Sequence, residues 1–305
     1  MERTVLILGA NGRFGRHAHV AFHDAGWRGR VVDRAREDLW DAAWGADVIV
    51  NGWNPAYPNW AREVPDQTKA LIDVAEATGA QVVIPGNVYP FGRAEGLMGP
   101  MTPHVPMGSL GQVRAEMEAA WAASRARVLI LRCGDFIDTE PSGNWFDKVL
   151  IAGLPRGVMT YPGALDVPHA WAFLPDVGRA IVALVERRHS LPRFADIPFA
   201  GFTRTGRELS DALMRATGKR HHLQHMPWLP LRLAAPFWPM GRCLLQMRYL
   251  WDLPHALDPR PLSELLPTFQ GTGLEKALAL AVAHQIDPDQ PVSCRPLYIG
   301  RARIA

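Results

Sequence analysis

Short, unbroken apolar runs alternate with stretches of helical periodicity through the first half of the chain. Thr4 to Leu8, Val31-Val32, Asp47 to Val50, Gln81 to Ile84 and Arg127 to Leu131 are apolar and too short for helices. Runs of this kind mark strands buried on both faces, and so a parallel sheet. Between them, Arg16 to Ala25 predicts a helix stopped by Gly26, and Asn59 to Thr78 a longer one stopped by Gly79. Pro65 fits that second helix only near its start or at a kink. Met107 to Ser124 supplies a third helix, and the second strand reaches from Arg30 to Asp33. Parallel strands joined through helices demand right-handed crossovers, with helices on both faces and ligands at the carboxyl ends.

Beyond Arg132 glycine, proline and tryptophan crowd longer loops, including 141–143 and 161–172, in the manner of a substrate-side region. A helix from Pro175 to Arg188, with Asp176 as its expected cap, and a strand near Phe194 to Phe199 return to the sheet. Thr205 to Glu208 and Thr272 to Glu275 read as capping boxes. The expected fold is α/β, a Rossmann-type doubly wound parallel sheet with a smaller, mostly helical C-terminal substrate region. The dinucleotide-binding domain takes residues 1–140 and 170–200, and the substrate region takes 141–169 and 201–305.

Composition narrows the partners. A net charge of +3, with arginines scattered rather than striped, gives no footprint for nucleic acid. Three cysteines, Cys133, Cys243 and Cys294, have neither ligand spacing nor an even count, so no metal site or disulfide framework is expected and a cytoplasmic location fits. Met226 to Trp251 is the most membrane-like stretch, but its three arginines and four prolines argue against a spanning helix. Plain packing or a surface-seeking or substrate-covering segment both remain open, and no membrane partner is expected. His221, His222 and His225 lack a carboxylate or cysteine to complete a ligand set and read as a solvated turn.

The chemistry concentrates where the first strand meets Gly9-Ala10-Asn11-Gly12-Arg13-Phe14-Gly15. Gly9 can take positive φ, Gly12 lets backbone approach a phosphate, and Gly15 lets the helix pack closely on the strand. Unpaired amides and the helix dipole favour an anion there without a basic side chain, so Gly9, Asn11, Gly12, Arg13, Phe14 and Gly15 are candidate pyrophosphate contacts. Asp33, 18 residues after Gly15, is placed to accept hydrogen bonds from an adenosine ribose, which favours NAD; Arg34 and Arg36 could instead pair with the extra phosphate of NADP. Asn51 and Gly52 are further cofactor candidates at a strand end. Trp53, Tyr57 and Trp60 read as one wall of a pocket or as loop packing, with Trp145, Tyr161, His169 and Trp171 opposite.

These segments, with Gly45 to Asn51, Gly86-Asn87-Val88-Tyr89-Pro90-Phe91-Gly92, Leu131 to Phe136 and Trp171 to Ala180, resemble the extended or atypical short-chain dehydrogenase/reductase superfamily, which includes NAD-dependent epimerases and dehydratases. The resemblance implies an NAD(P) cofactor, a small-molecule substrate and a homodimer. It also implies that Gly86 and Gly134 border the cofactor, Gly134 in the short loop that approaches nicotinamide. Cys133 beside it reads as a small buried residue.

The family's Tyr-x-x-x-Lys pair is altered. Leu110 and Arg114 stand in the two positions, and no hydroxyl occupies the serine or threonine place around Pro85 to Asn87. Leu110 cannot transfer a proton, whereas Arg114 can hydrogen-bond a nicotinamide ribose but relays protons poorly. The remaining catalytic candidates are Asn87 as a donor to a substrate carbonyl, Tyr89 as a phenol, and His169 as an acid or base. Two readings stand: an enzyme moving hydride on a carbonyl, alcohol or sugar-nucleotide substrate, or a catalytically silent NAD(P)-sensing binding protein.

Overall fold

The computed structural model describes residues 3–33 and 37–286. Its centre is a parallel sheet of six strands, β1 (Thr4–Leu8), β2 (Arg28–Val31), β3 (Val48–Asn51), β4 (Gln81–Gly86), β6 (Val128–Arg132) and β10 (Phe194–Pro198), ordered β10-β6-β4-β3-β1-β2. The inner strands are apolar on both faces because both faces are covered. α1 (Arg13–Asp24) and α5 (Leu174–Glu186) pack together on one side, α3 (Trp60–Thr78) and α4 (Gly108–Ala123) on the other. Successive residues of β1 therefore enter different cores, Leu6 and Leu8 one, Val5 and Ile7 the other. The chain passes from β1 through α1 to β2, then through α2 (Leu39–Ala43) to β3 on the far side of β1. The winding direction thus reverses between β1 and β3, which opens a crevice at their carboxyl ends.

Smaller sheets surround this frame. β7 (Asp135–Ile137), β9 (His169–Phe173) and β11 (Phe202–Arg204) form one; β8 (Val158–Tyr161) pairs with β12 (His222–His225), and β5 (Gly96–Met98) with β13 (His255–Leu257). With α6 (Gly206–Thr217), α7 (Trp228–Ala234), α8 (Pro239–Gln246), α9 (Arg260–Leu265) and α10 (Leu274–Ile286) they make the helical second half. A third core gathers there around Phe146, Tyr161, Trp171, Leu213, Trp251 and Leu278.

Local chemistry sets most boundaries. Gly79 closes α3 in the left-handed conformation at φ +73, and Pro65 falls inside α3 near its start. Thr205 and Glu208 satisfy each other's amides as a capping box on α6. Three expectations are corrected. β2 begins two residues early and ends at Val31, because its pairing with β1 runs only from Thr4↔Arg28 to Ile7↔Val31; as an edge strand it is mostly exposed and carries polar residues. Asp176 does not cap α5 from outside but lies in its first turn behind Phe173. Its carboxylate accepts from the Thr272 amide and hydroxyl and from Arg179, so Thr272 is engaged there and forms no capping box; α10 starts instead after Gly273.

Charges inside the fold are neutralised in groups. Arg132, wholly buried on β6, reaches Glu118 on α4 at 2.7 Å, Asp196 on β10 at 2.5 Å and the carbonyl of Asn87 just past β4. Removing the guanidinium would leave two facing carboxylates in a low-dielectric site. Arg132→Met is therefore expected to lower unfolding free energy by about 3–5 kcal/mol in urea denaturation.

Beside the third core, His255 is 2% exposed and donates from Nδ1 to the Leu253 carbonyl. Burial first, and then the neighbouring His169, push its pKa down from 6.5 to about 4. The folded state keeps this ring neutral while the unfolded chain protonates it, so stability is full above the unfolded value and falls as pH drops from 6.5 to about 4. The loss should reach about 3 kcal/mol at most. Urea titrations across that window should show a shallower decline for His255→Gln.

Candidate functional site

At the crevice, main chain meets main chain. Gly9 has φ +72, and a Cβ there would lie 2.8 Å from the Gly52 carbonyl oxygen. A Cβ on Gly15 would lie 2.3 Å from the Gly9 oxygen, and one on Gly52 would lie 2.6 Å from the Leu8 oxygen. The Gly12 amide donates to the Gly9 carbonyl at 2.8 Å and closes the turn. α1 then opens at Gly12 with no side-chain cap and no acidic residue in its first turn. Asn11 and Gly12 are exposed at this turn, while Phe14 is buried behind it. The first amides of α1 thus form a bare, positively polarised rim.

The 138–142 loop is tied to this rim. Arg13 donates to the Ser142 carbonyl at 2.7 Å. Arg16 pairs with Asp138 at 3.0 Å and Glu140 at 2.8 Å, and His17 reaches Asp138 at 2.8 Å. Burial opposes ionisation of Asp138, but the hydrogen bond and charge of His17, with Ser142 and Arg16, outweigh it and hold the carboxyl below its ordinary value. Asp33 is exposed just past β2, and Arg34 and Arg36 lie outside the described residues. Asn51 ends β3, where its Oδ1 accepts from the Trp53 amide at 3.2 Å and turns the chain into Gly52.

Beyond β4 lies a polar floor. A Cβ on Gly86 would come within 2.6 Å of Ile130, so this glycine lets β4 and β6 pack tightly where the chain turns out. Asn87 accepts from the Tyr89 amide at 3.1 Å and presents its carbonyl to Arg132. The Tyr89 and Tyr57 hydroxyls are 2.9 Å apart, with Trp60 packed beside both rings. Burial raises the Tyr89 pKa well above the phenol range, and Tyr57 and the charge of Asp135 add to it, so this hydroxyl stays protonated. Arg114, buried on α4, donates to the Pro85 carbonyl and lies over Trp60, while its Nε has no partner. Burial lowers its pKa. Leu110, one turn earlier, is buried.

The fourth catalytic candidate approaches from the other side. β6 runs through Cys133 and Gly134 into β7, and a Cβ on Gly134 would lie 2.1 Å from the Ala170 oxygen, so only glycine lets β7 lie this close to β9. Asp135 follows at once. Its Oδ2 lies 2.7 Å from His169 Nε2; the carboxylate side chain is 29% exposed and the imidazole 3%, so the carboxylate fronts the cleft and the histidine backs it. His169 stacks on Trp251 at 4.3 Å, packs against Trp171 and His255, and leaves Nδ1 without a partner. Burial is the main cause of the raised pKa of Tyr57, Tyr89 and Tyr161, and the charge of Asp135 adds to each.

Tyr89, Asn87 and Arg114 therefore converge at the end of β4, and His169 enters through Asp135. Sequence reasoning missed Asp135, although its place directly after the glycine at the carboxyl end of β6 was a usable signal. Nothing local marks Tyr57 as the partner of Tyr89, or His255 and Trp251 as neighbours of His169. Trp145 packs on Trp228 and Trp251 in the same aromatic wall. Burial pushes the Cys133 thiol up, which agrees with a small packing residue. His221 bonds Ser210, and His222 and His225 lie on β12. Among the described residues His104, Glu118 and Asp196 bring ligand atoms within 4.8 Å, but the Arg132 guanidinium already pairs with both carboxylates.

No protein-family model and no curated protein sequence matches the chain. Solved structures do match. An NAD-dependent NDP-hexosamine 5,6-dehydratase of tunicamycin biosynthesis, TunA, superposes with a TM-score of 0.72 at 15% identity, covering 92% of this chain and 97% of its own. A GalE-like L-threonine dehydrogenase from Cupriavidus necator gives 0.71 at 16%, covering 93% and 99%. UDP-glucose 4-epimerase from Brucella ovis, in complex with NAD, gives 0.70 at 17%, covering 93% and 98%. The chain has the Rossmann-type α/β fold of these proteins along nearly its whole length.

Proposed function

We propose that the protein is an NAD(P)-dependent enzyme that moves hydride on a small carbonyl, alcohol or sugar-nucleotide substrate, in an oxidoreductase, epimerase or dehydratase reaction. The observation that carries this reading is the uncapped start of α1, free of acidic side chains and backed by Gly9, Gly12 and Gly15. A dinucleotide fits there: the amides from Asn11 to Gly15 suit a diphosphate, and a Cβ on Gly12, 3.1 Å from the Gly9 oxygen, would stand in its place. Asp33, exposed past β2, would take the adenosine ribose and favours NAD. Asn51, Gly52, Gly86 and Gly134 would border the rest of the cofactor. Two of the similar structures named above, the NAD-dependent dehydratase and the epimerase in complex with NAD, support the same choice.

When bound, the nicotinamide supplies the hydride acceptor or donor. The chain's own groups handle the oxygen and its proton. Tyr89, a neutral phenol already hydrogen-bonded to Tyr57, is suited to donate to a substrate oxygen, and Asn87 can orient a carbonyl. Arg114 and Arg132 act behind them by gripping the carbonyls of Pro85 and Asn87. His169 holds the Asp135 carboxylate toward the cleft. The division into a dinucleotide domain and a substrate region, the homodimer and the cytoplasmic location belong to the same proposal. A second reading, a nucleotide sensor without turnover, rests on Leu110 and Arg114 in place of the Tyr-x-x-x-Lys pair.

Fluorescence titration with NADH and NADPH tests the cofactor site. Gly12→Val is expected to weaken binding at least about tenfold, with a small fall in melting temperature from the close approach of its Cβ to the Gly9 carbonyl; wild-type affinity for neither nucleotide would end both readings. With nicotinamide absorbance followed against sugar nucleotides and small carbonyls, Tyr89→Phe should lower kcat by roughly 10²–10⁴ at unchanged nucleotide affinity. Binding without turnover across that set would favour the sensor.

A further inference from the structure

From Ala212 to Trp251 the chain contains no aspartate or glutamate, yet it carries Arg215, Lys219, Arg220, Arg232, Arg242 and Arg248. The α7–α8 hairpin lies inside this acid-free stretch and divides its apolar residues in two. Trp228 and Leu231 turn inward and are buried, whereas Leu229, Leu233 and Phe237, spaced four apart, are 64%, 69% and 91% exposed, with Trp238 beside them at 46%. The turn that presents Phe237 is braced: Arg242 donates to the carbonyls of Ala235 and Pro236, and Arg248 lies over the inward Trp228. Arg232 is exposed among the apolar residues.

A braced apolar tip with phenylalanine, tryptophan and leucine, carrying the exposed Arg232 and Arg242 and no aspartate or glutamate of its own, matches the chemistry of an interfacial anchor. We propose that this hairpin docks the protein on an anionic lipid surface. The apolar tip favours lipid over nucleic acid, which a basic face alone would suit equally. No helix among the described residues is long and apolar enough to cross a membrane, so the contact is with one leaflet. α8 also packs against the turn Tyr57–Asn59 that supplies one phenol of the cleft, so the docked face adjoins the candidate site. This docking departs from the sequence-based expectation of no membrane partner and does not depend on the cofactor reading.

Co-sedimentation of the purified full chain with vesicles tests it, using phosphatidylcholine alone and phosphatidylcholine mixed equally with phosphatidylglycerol. Binding to the mixed vesicles only, weakened by salt, is expected. Leu233→Ser with Phe237→Ser, and separately Arg232→Glu, should each lower the bound fraction, the double substitution by at least about tenfold in affinity. Unchanged melting temperatures show that these exposed substitutions leave the fold intact. The proposal is overturned if the wild type stays in solution with mixed vesicles at low salt, if both variants bind as well as it does, if nucleic acid is retained and vesicles are not, or if Phe237→Ser converts a dimer that ignores vesicles into a monomer.

Discussion

The contact of bare backbone at Gly9, Gly15 and Gly52 is the constraint on which the rest of the architecture turns. With Cβ distances of 2.3 to 2.8 Å to neighbouring carbonyls, no side chain can stand at these three points. α1 can therefore begin directly against the end of β1, and β3 can lie close beside it. The reversal of winding between β1 and β3 then becomes a narrow cleft lined by amides rather than a filled seam. Two cores form on opposite faces of the sheet because helices cover both faces.

Around the cleft, charge is managed by pairing rather than exclusion. Arg132 ties α4 and β10 to the residue after β4, and the Arg16, His17 and Asp138 group ties the start of α1 to the loop beyond β7. Both groups sit immediately behind residues that face the cleft. They hold the main chain near Asn87 and Ser142 in place, beside the buried Tyr89 hydroxyl and the partly exposed Asp135 carboxylate. Phenols kept protonated by burial beside a carboxylate that remains partly in solvent give the cleft separate donor and acceptor groups.

The central sheet was legible because its inner strands are buried on both sides, which leaves unbroken apolar runs such as Leu6-Ile7-Leu8 and Val128 to Leu131. The edge strand β2 was misplaced for the opposite reason: Arg28 is exposed, Arg30 is half-buried against the carbonyls of Ala42 and Trp44, and neither carries an apolar signature. Asp176 and Thr272 looked like two helix starts, because a sequence shows a cap's residue type and not the bond made 96 positions away. Within the site, the glycine turn was recognisable from local spacing, whereas Asn87, Tyr89 and Arg114 were singled out only through the family resemblance of their segments. The pairing of Asp135 with His169 was not, since it arises only when Gly134 lets β7 lie against β9. Tyr57 likewise gains its meaning from Tyr89, 32 residues further on.

The parallel pairing of β5 with β13 places His255 beside His169 and brings the far end of the chain back to a segment near residue 96. Such a long loop closes late, after the central sheet has its local crossovers, since distant contacts return energy only once the intervening chain is ordered. A growing polypeptide can thus complete the glycine turn between β1 and α1 while the aromatic wall behind Asp135 is still missing. Formation of the bare amide rim and assembly of the Asp135–His169 corner are in this way separated in time.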